Sequence, residues 1–217
     1  MSSRPAAGGG RWVEVEPARV ARWVEGFAGR HGPPTTTGQA YGLLLAAADG
    51  ATAELHAPPG APAAPDVPGF VAAAAAPRRI GLLLARKGAV AVGVAAGEEL
   101  VVSKVDTRYV QGRTAAGGWS QQRFARRRDN QAKAALGDAA DLAVRLLLPE
   151  ASSLRALVCG GDRRAVDTVL ADRRLAPLAA LRAERLLDVP EPRRAVLVGA
   201  IAAARAVRIL VRDPAPS

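Results

Sequence analysis

Between Arg79 and Asp106 three short apolar runs follow one another with almost no chain between them. They are Ile80–Ala85, Ala89–Ala95 and Leu100–Asp106, separated only by Arg86-Lys87-Gly88 and Ala96-Gly97-Glu98. Parallel neighbours need a crossover of a dozen or more residues, so turns this short predict an antiparallel meander. The third strand then delivers the chain into Thr107–Lys133, TRYVQGRTAAGGWSQQRFARRRDNQAK.

This segment carries the least ordinary chemistry of the chain. Gly117-Gly118 permits backbone conformations closed to residues with a Cβ. Ser120 is the expected N-cap of a helix whose first turn is Gln121, Gln122 and Arg123. A helix N-terminus is a partial positive charge and favours acids, yet Arg123, Arg126, Arg127 and Arg128 crowd this one. Across Lys104–Lys133 eight basic residues (Lys104, Arg108, Arg113, Arg123, Arg126, Arg127, Arg128, Lys133) face two acids, Asp106 and Asp129. The difference, +6, is more than half of the chain's net +10. A polyanion docked on the loop would relieve that concentration of charge.

The pI near 11.1 agrees with nucleic acid as partner. No apolar run approaches the ~20 residues of a spanning helix, and no N-terminal signal is visible, so no membrane partner and a cytoplasmic location are expected. Apolar residues make up 49% of 217, enough for one core, with few aromatics. Cys159, the one cysteine, excludes an intramolecular disulfide; in the apolar run Leu157-Val158-Cys159 it reads as a buried thiol. His31 and His56 are the only histidines, so neither a cysteine nor a histidine metal cage is expected, nor any other cofactor.

The remaining pattern predicts an α/β fold: one domain over residues 11–217, a mixed sheet with flanking helices, after a disordered tail at 1–10. Trp12–Val15 reads as a strand. Pro17 opens a helix with Val20, Trp23, Val24 and Phe27 on its core face. Tyr41–Ala48 and Ala51–His56 form a hairpin about Asp49-Gly50. Residues 57–77, rich in Pro and Ala, read as an exposed loop joining two parts of one sheet. Gln121–Leu148 is predicted helical, its apolar face built by Ala132, Ala135, Leu136, Ala139, Ala143, Leu146 and Leu147. Leu154–Cys159 is a buried strand, Gly160-Gly161 a turn, and Asp162 the N-cap of a helix to Ala171. Leu181–Val189, a helix from Glu191-Pro192 to Arg205, and the strand Ala206–Val211 complete the sheet.

Self-contained catalytic sets are missing from this pattern. Ser120, in Gly-Trp-Ser-Gln-Gln, lacks the final glycine of a nucleophile elbow and has no histidine near it in sequence. Asp129, Asp162, Asp172 and Glu184 sit beside arginines, as on solvated helix faces. The amides Gln121, Gln122 and Gln131 remain. An amide does not titrate, but it donates and accepts hydrogen bonds together, which suits orienting a water and stabilising an oxyanion.

Gly117-Gly118-Trp119-Ser120-Gln121 and the arginine-rich helix after it resemble the catalytic loop of the eukaryotic and archaeal class I release factors, which carry Gly-Gly-Gln. The segment is more similar to the Vms-type release-factor-like proteins, with Gly-Gly-Ser-Gln, and over Arg108–Gln131 to their actinobacterial branch. The resemblance implies a release-factor middle-domain fold of RNase H-like type. It implies a peptidyl-tRNA hydrolase, releasing nascent chains on stalled large ribosomal subunits, with peptidyl-tRNA and rRNA as partners of a monomer. Gln121 or Gln122 is then the catalytic amide, since Trp119 and Ser120 separate the glycines from the first glutamine. Gly117 and Gly118 form the hinge. Arg113, Trp119, Arg123, Arg126, Arg127, Arg128 and Lys133 contact RNA. Two other readings stand beside it: a non-catalytic rRNA- or tRNA-binding adaptor that uses the same basic loop, and an RNase-H-like nuclease, which requires acids converging in space.

Overall fold

The meander forms as its turn lengths require. In the computed structural model, which describes residues 3–86, 88–107 and 137–214, β6 (Arg79–Arg86), β7 (Ala89–Ala96) and β8 (Glu99–Thr107) pair antiparallel in chain order. Arg79 lies opposite Ala96 and Arg86 opposite Ala89, and Ala89 in turn opposite Thr107. β6 and β7 are buried on nearly every residue, the mark of strands covered on both faces. β8 is the sheet edge, and its alternation of exposed and half-buried residues follows from that position.

Two parallel strands extend the sheet on its other side. β9 (Ala156–Gly161) pairs parallel with β6, and β10 (Arg182–Leu187) parallel with β9, giving the order β10-β9-β6-β7-β8. The connections are helical, as parallel pairing demands. A helix over 137–146, called α3, precedes β9, and α4 (Arg163–Leu170) and α5 (Ala176–Ala179) lie between β9 and β10. Leu83, Val92, Leu157 and Cys159 from the strands form one core with Ala139 and Ala143 of α3, Val166 and Val169 of α4, and Leu178 of α5. Cys159 is fully buried, and loss of solvent pushes its thiol up to about 12, so it stays protonated and inert.

Gly160-Gly161, expected as a turn, ends β9 instead, and packing explains both glycines. A Cβ on Gly161, at φ +95°, would lie 2.3 Å from the Ala85 carbonyl oxygen, and one on Gly160 would meet the Leu84 side chain at 2.8 Å. Asp162 caps α4 as predicted: its carboxylate accepts from the Arg164 amide at 2.8 Å and the Ala165 amide at 3.4 Å.

The expectation of a mixed α/β protein with flanking helices holds, but the single sheet does not. A second, wholly antiparallel sheet has the order β1-β2-β11-β5-β4-β3. Its strands are β1 (Ser3–Pro5), β2 (Arg11–Val15), β3 (Thr35–Gln39), β4 (Gly42–Ala46), β5 (Thr52–His56) and β11 (Val207–Arg212). Accordingly the chain divides into two compact units, residues 1–77 with 202–217, and residues 78–201. The last strand joins the N-terminal sheet because its alternation matches there. Ile209 lies opposite Val13 of β2 and Leu55 of β5, all turned to one buried face.

The core of this unit is completed by Val20 and Phe27 from α1 (Val20–His31) and by Phe70 and Ala74 from α2 (Val67–Ala75). α2 corrects the reading of residues 57–77 as a loop. Asp66 accepts from the Gly69 amide at 2.8 Å, a proline stands in the first turn, and the alanines that follow are strong helix formers. The tail is likewise ordered at Ser3–Pro5, where Arg4 pairs in register with Trp12. α6 (Arg194–Arg205) carries the chain back from the second unit to β11.

Candidate functional site

The residues singled out for function lie outside the described residues: Arg113, Gly117, Gly118, Trp119, Gln121, Gln122, Arg123, Arg126, Arg127, Arg128 and Lys133. The structure instead establishes what holds the two ends of their segment. Upstream, β8 pairs with β7 from end to end except for a register shift at Val101, and its final residues Asp106 and Thr107 lie opposite Val90 and Ala89. Lys104, the first of the eight basic residues, is exposed on this strand. Arg194 at the start of α6 donates to the Ser103 hydroxyl at 2.9 Å, placing a further guanidinium against the same edge.

Downstream, α3 is driven into the core. Ala139, Ala140, Leu142 and Ala143 are buried at 4% exposure or less, and so is Leu147 just beyond it. Of the predicted apolar face, Ala139, Ala143 and Leu147 are buried and Leu146 is partly so; Ala132, Ala135 and Leu136 fall outside the described residues. Small residues at this spacing let a helix lie close upon a sheet. Both attachments therefore belong to the same unit, β8 through its pairing with β7 and α3 through the core that β7 shares.

A charge cluster ties α3 to the segment after α4. The Arg174 guanidinium reaches Asp172 at 2.6 Å and Asp141 of α3 at 2.7 Å, while Asp172 also accepts from the Arg174 amide at 2.9 Å. The Arg174 side chain, and then that amide, hold the Asp172 carboxyl down to about 2. A depressed carboxyl stabilises the fold fully above its unfolded value, about 3.9, and that contribution disappears as pH falls toward 2. Asp172→Asn should therefore flatten the acid limb of a stability-versus-pH curve between those values, measured by urea denaturation. An acid limb identical to wild type would assign acid sensitivity elsewhere. A second pair, Arg79 to Glu150 at 2.6 Å, fastens β6 to the turn following α3, with Ser153 also donating to Glu150 at 3.1 Å. These two donors, Arg79 foremost, keep the Glu150 carboxyl below its usual range.

The acids read as solvated are partly structural: Asp162 and Asp172 are helix caps. Among the described residues no three His, Cys, Asp or Glu side chains come together in a way that could hold a metal. No helix among them is long and apolar enough to cross a membrane. His31 is satisfied by Asp49 at 2.8 Å, and His56 is stacked on Tyr41.

A mixed sheet whose edge strand leads in sequence to the arginine-rich Gly-Gly-Trp-Ser-Gln-Gln segment, with a core-anchored helix after it, defines the class: a mixed α/β domain. Over residues 78–210 the sequence matches the profile of the Actinobacteria/chloroflexi VLRF1 release factor family, and the chain belongs to that family. Membership places it among release-factor-type proteins of translation. Similar solved structures include an archaeal translation termination factor, aRF1, at 18% identity and a TM-score of 0.42, covering 58% of this chain and 36% of that one. Another, described only as an archaeal protein, is 20% identical with a TM-score of 0.39 and the same coverage. The chain thus spans little more than a third of the length of each. No curated protein sequence matches it.

Proposed function

We propose that this chain is a peptidyl-tRNA hydrolase that frees nascent chains on stalled large ribosomal subunits, with a loop glutamine positioning the attacking water. The observation that carries this is the family match over residues 78–210, a span that contains both Gly117-Gly118 and Gln121-Gln122. The chemistry is consistent. An ester carbonyl needs a water held in line and a donor for the oxyanion, and a neutral amide can serve either task without titrating. A carboxamide has too little electrostatic power to do this alone. The peptidyl-transferase centre and the tRNA would supply the rest, so a loop at the edge of a rigid domain, rather than a closed pocket, is the form expected. Gly117 and Gly118 let the loop adapt to that environment. Arg113, Trp119, Arg123, Arg126, Arg127, Arg128 and Lys133 meet rRNA and tRNA. The protein acts as a monomer in the cytoplasm.

Binding tests the RNA half of this reading. Each phosphate neutralised by an arginine releases counterion, so affinity for ribosomal particles should fall steeply with salt. Replacing Arg126, Arg127 and Arg128 by alanine should reduce the log–log salt slope by roughly 2 to 3. The melting temperature should be unchanged. An unaltered slope would remove the electrostatic argument, and a large loss of stability would mean that these arginines pair within the fold.

A further inference from the structure

A second basic feature lies in the other unit, outside the span that matches the family. A groove of about 450 Å³ runs between the end of β2 and α1, within the range of ligand clefts. One of its walls is a helical stripe: Arg19 in the turn before α1, then Arg22 with Trp23, Gly26, and Arg30. These positions are three to four residues apart, so they stack along one face. Arg19, Arg22 and Arg30 are exposed, and none makes an ion pair or side-chain hydrogen bond among the described residues. That separates them from Arg4, Arg79, Arg174, Arg182 and Arg212, which are all paired with carboxylates. Glu14 and Glu16 also line the groove. Arg4 engages Glu14 at 3.2 Å, so among the lining residues Glu16 is the one other carboxylate beside three arginines.

Trp23 supplies the second half of the argument. Its ring is half-buried in the groove wall and stacked on fully buried Phe27, with centroids 5.8 Å apart and planes inclined by 17°. The ring is thus fixed in place from beneath. Gly26 leaves the middle of the stripe without a side chain, at a cost of roughly 1 kcal/mol in helix propensity relative to alanine. A held aromatic among unpaired arginines is the combination that takes single-stranded nucleic acid, the base on the ring and the phosphates on the cations.

We infer that this groove is an RNA-binding site for a single-stranded segment, with Arg19, Arg22 and Arg30 on successive phosphates and Trp23 against a base. The inference rests on the release-factor reading only in naming RNA as the polymer. A flat anionic membrane would satisfy the arginines but would leave the recessed indole unused.

The test is fluorescence anisotropy of a labelled uridine dodecamer with the full chain, in an Arg126→Ala, Arg127→Ala, Arg128→Ala background that mutes the loop. Adding Arg19→Ala, Arg22→Ala and Arg30→Ala should weaken binding at about 0.1 M salt by on the order of tenfold to a hundredfold and lower the salt slope by about 2. Lysine at the same three positions should restore the slope, and Trp23→Leu should weaken binding without altering it. Equal affinity and slope in the alanine variant would overturn the inference. So would binding to phosphatidylserine vesicles in place of the oligonucleotide. Peptide release separates this from the hydrolase reading: a groove variant that keeps RNA affinity, beside a Gln121→Ala, Gln122→Ala variant that loses release, defeats the groove alone.

Discussion

Gln121→Ala is expected to abolish release of peptide from peptidyl-tRNA while leaving particle binding intact. Positioning a water against an ester can be worth several powers of ten in rate, and most of that would vanish with the amide. Gln121→Glu should fail as well, because it adds charge and removes the donor. Because an amide does not titrate, the wild-type pH–rate profile should carry no pKa that disappears in Gln121→Ala at residual activity. Gln122→Ala should be milder, since Gln121 lies nearer the glycines. If Gln122→Ala is instead the inactive variant, the register shifts by one residue and the chemistry is unchanged. Loss of binding in step with release would mean that the amide anchors the loop rather than acting on the ester.

Leu83→Ala should produce the largest loss of stability. Leu83 is fully buried on β6, between the antiparallel β7 and the parallel β9, in the core that also seats α3. Truncation removes apolar contact and leaves a space that strands on both sides prevent from collapsing, for a cost of roughly 3 kcal/mol within a range of about 2–5. Val101→Ala on the exposed edge, where the side chain is 54% accessible, should stay within about 0.5 kcal/mol. Urea denaturation followed by hydrogen exchange at the β6, β7 and β9 amides checks the pair. A loss below about 1 kcal/mol for Leu83→Ala would show that the sheet repacks around the truncation. Because α3 shares that core, release activity should fall at lower urea concentrations in the Leu83 variant than in wild type.

The parts of the fold legible in the sequence are those set by short-range physics. Very short turns dictated the β6-β7-β8 meander, Asp162 announced α4, and Leu157-Val158-Cys159 announced a buried strand. What escaped depends on distant pairing or on composition that misleads. Val207, Ile209 and Val211 alternate as any half-buried strand does, and nothing local says that they insert between β2 and β5 rather than extend the other sheet. The alanines of α2 lack bulk and so resemble a linker, although Asp66 before Val67-Pro68-Gly69 was a readable cap. Thr35–Gln39 is polar and exposed throughout, and it is a strand only because β4 offers it an edge. For the candidate site, charge concentration and the glycine–glutamine spacing were visible at once. The arginines at 19, 22 and 30 were readable too, with Gly26 between the last two, but the aromatic beside them looked like core. Phe27 is core; Trp23, one turn earlier, also faces the groove.

The most direct test is release of labelled nascent peptide from peptidyl-tRNA held in isolated stalled large subunits, comparing the wild-type chain with the Gln121→Ala, Gln122→Ala double variant. The expected result is rapid release by the wild type and none above background by the double variant, with equal co-sedimentation of both on the particles. Full release by the double variant, or none by the wild type despite stable binding, would contradict the hydrolase assignment and leave an RNA-binding adaptor as the better account.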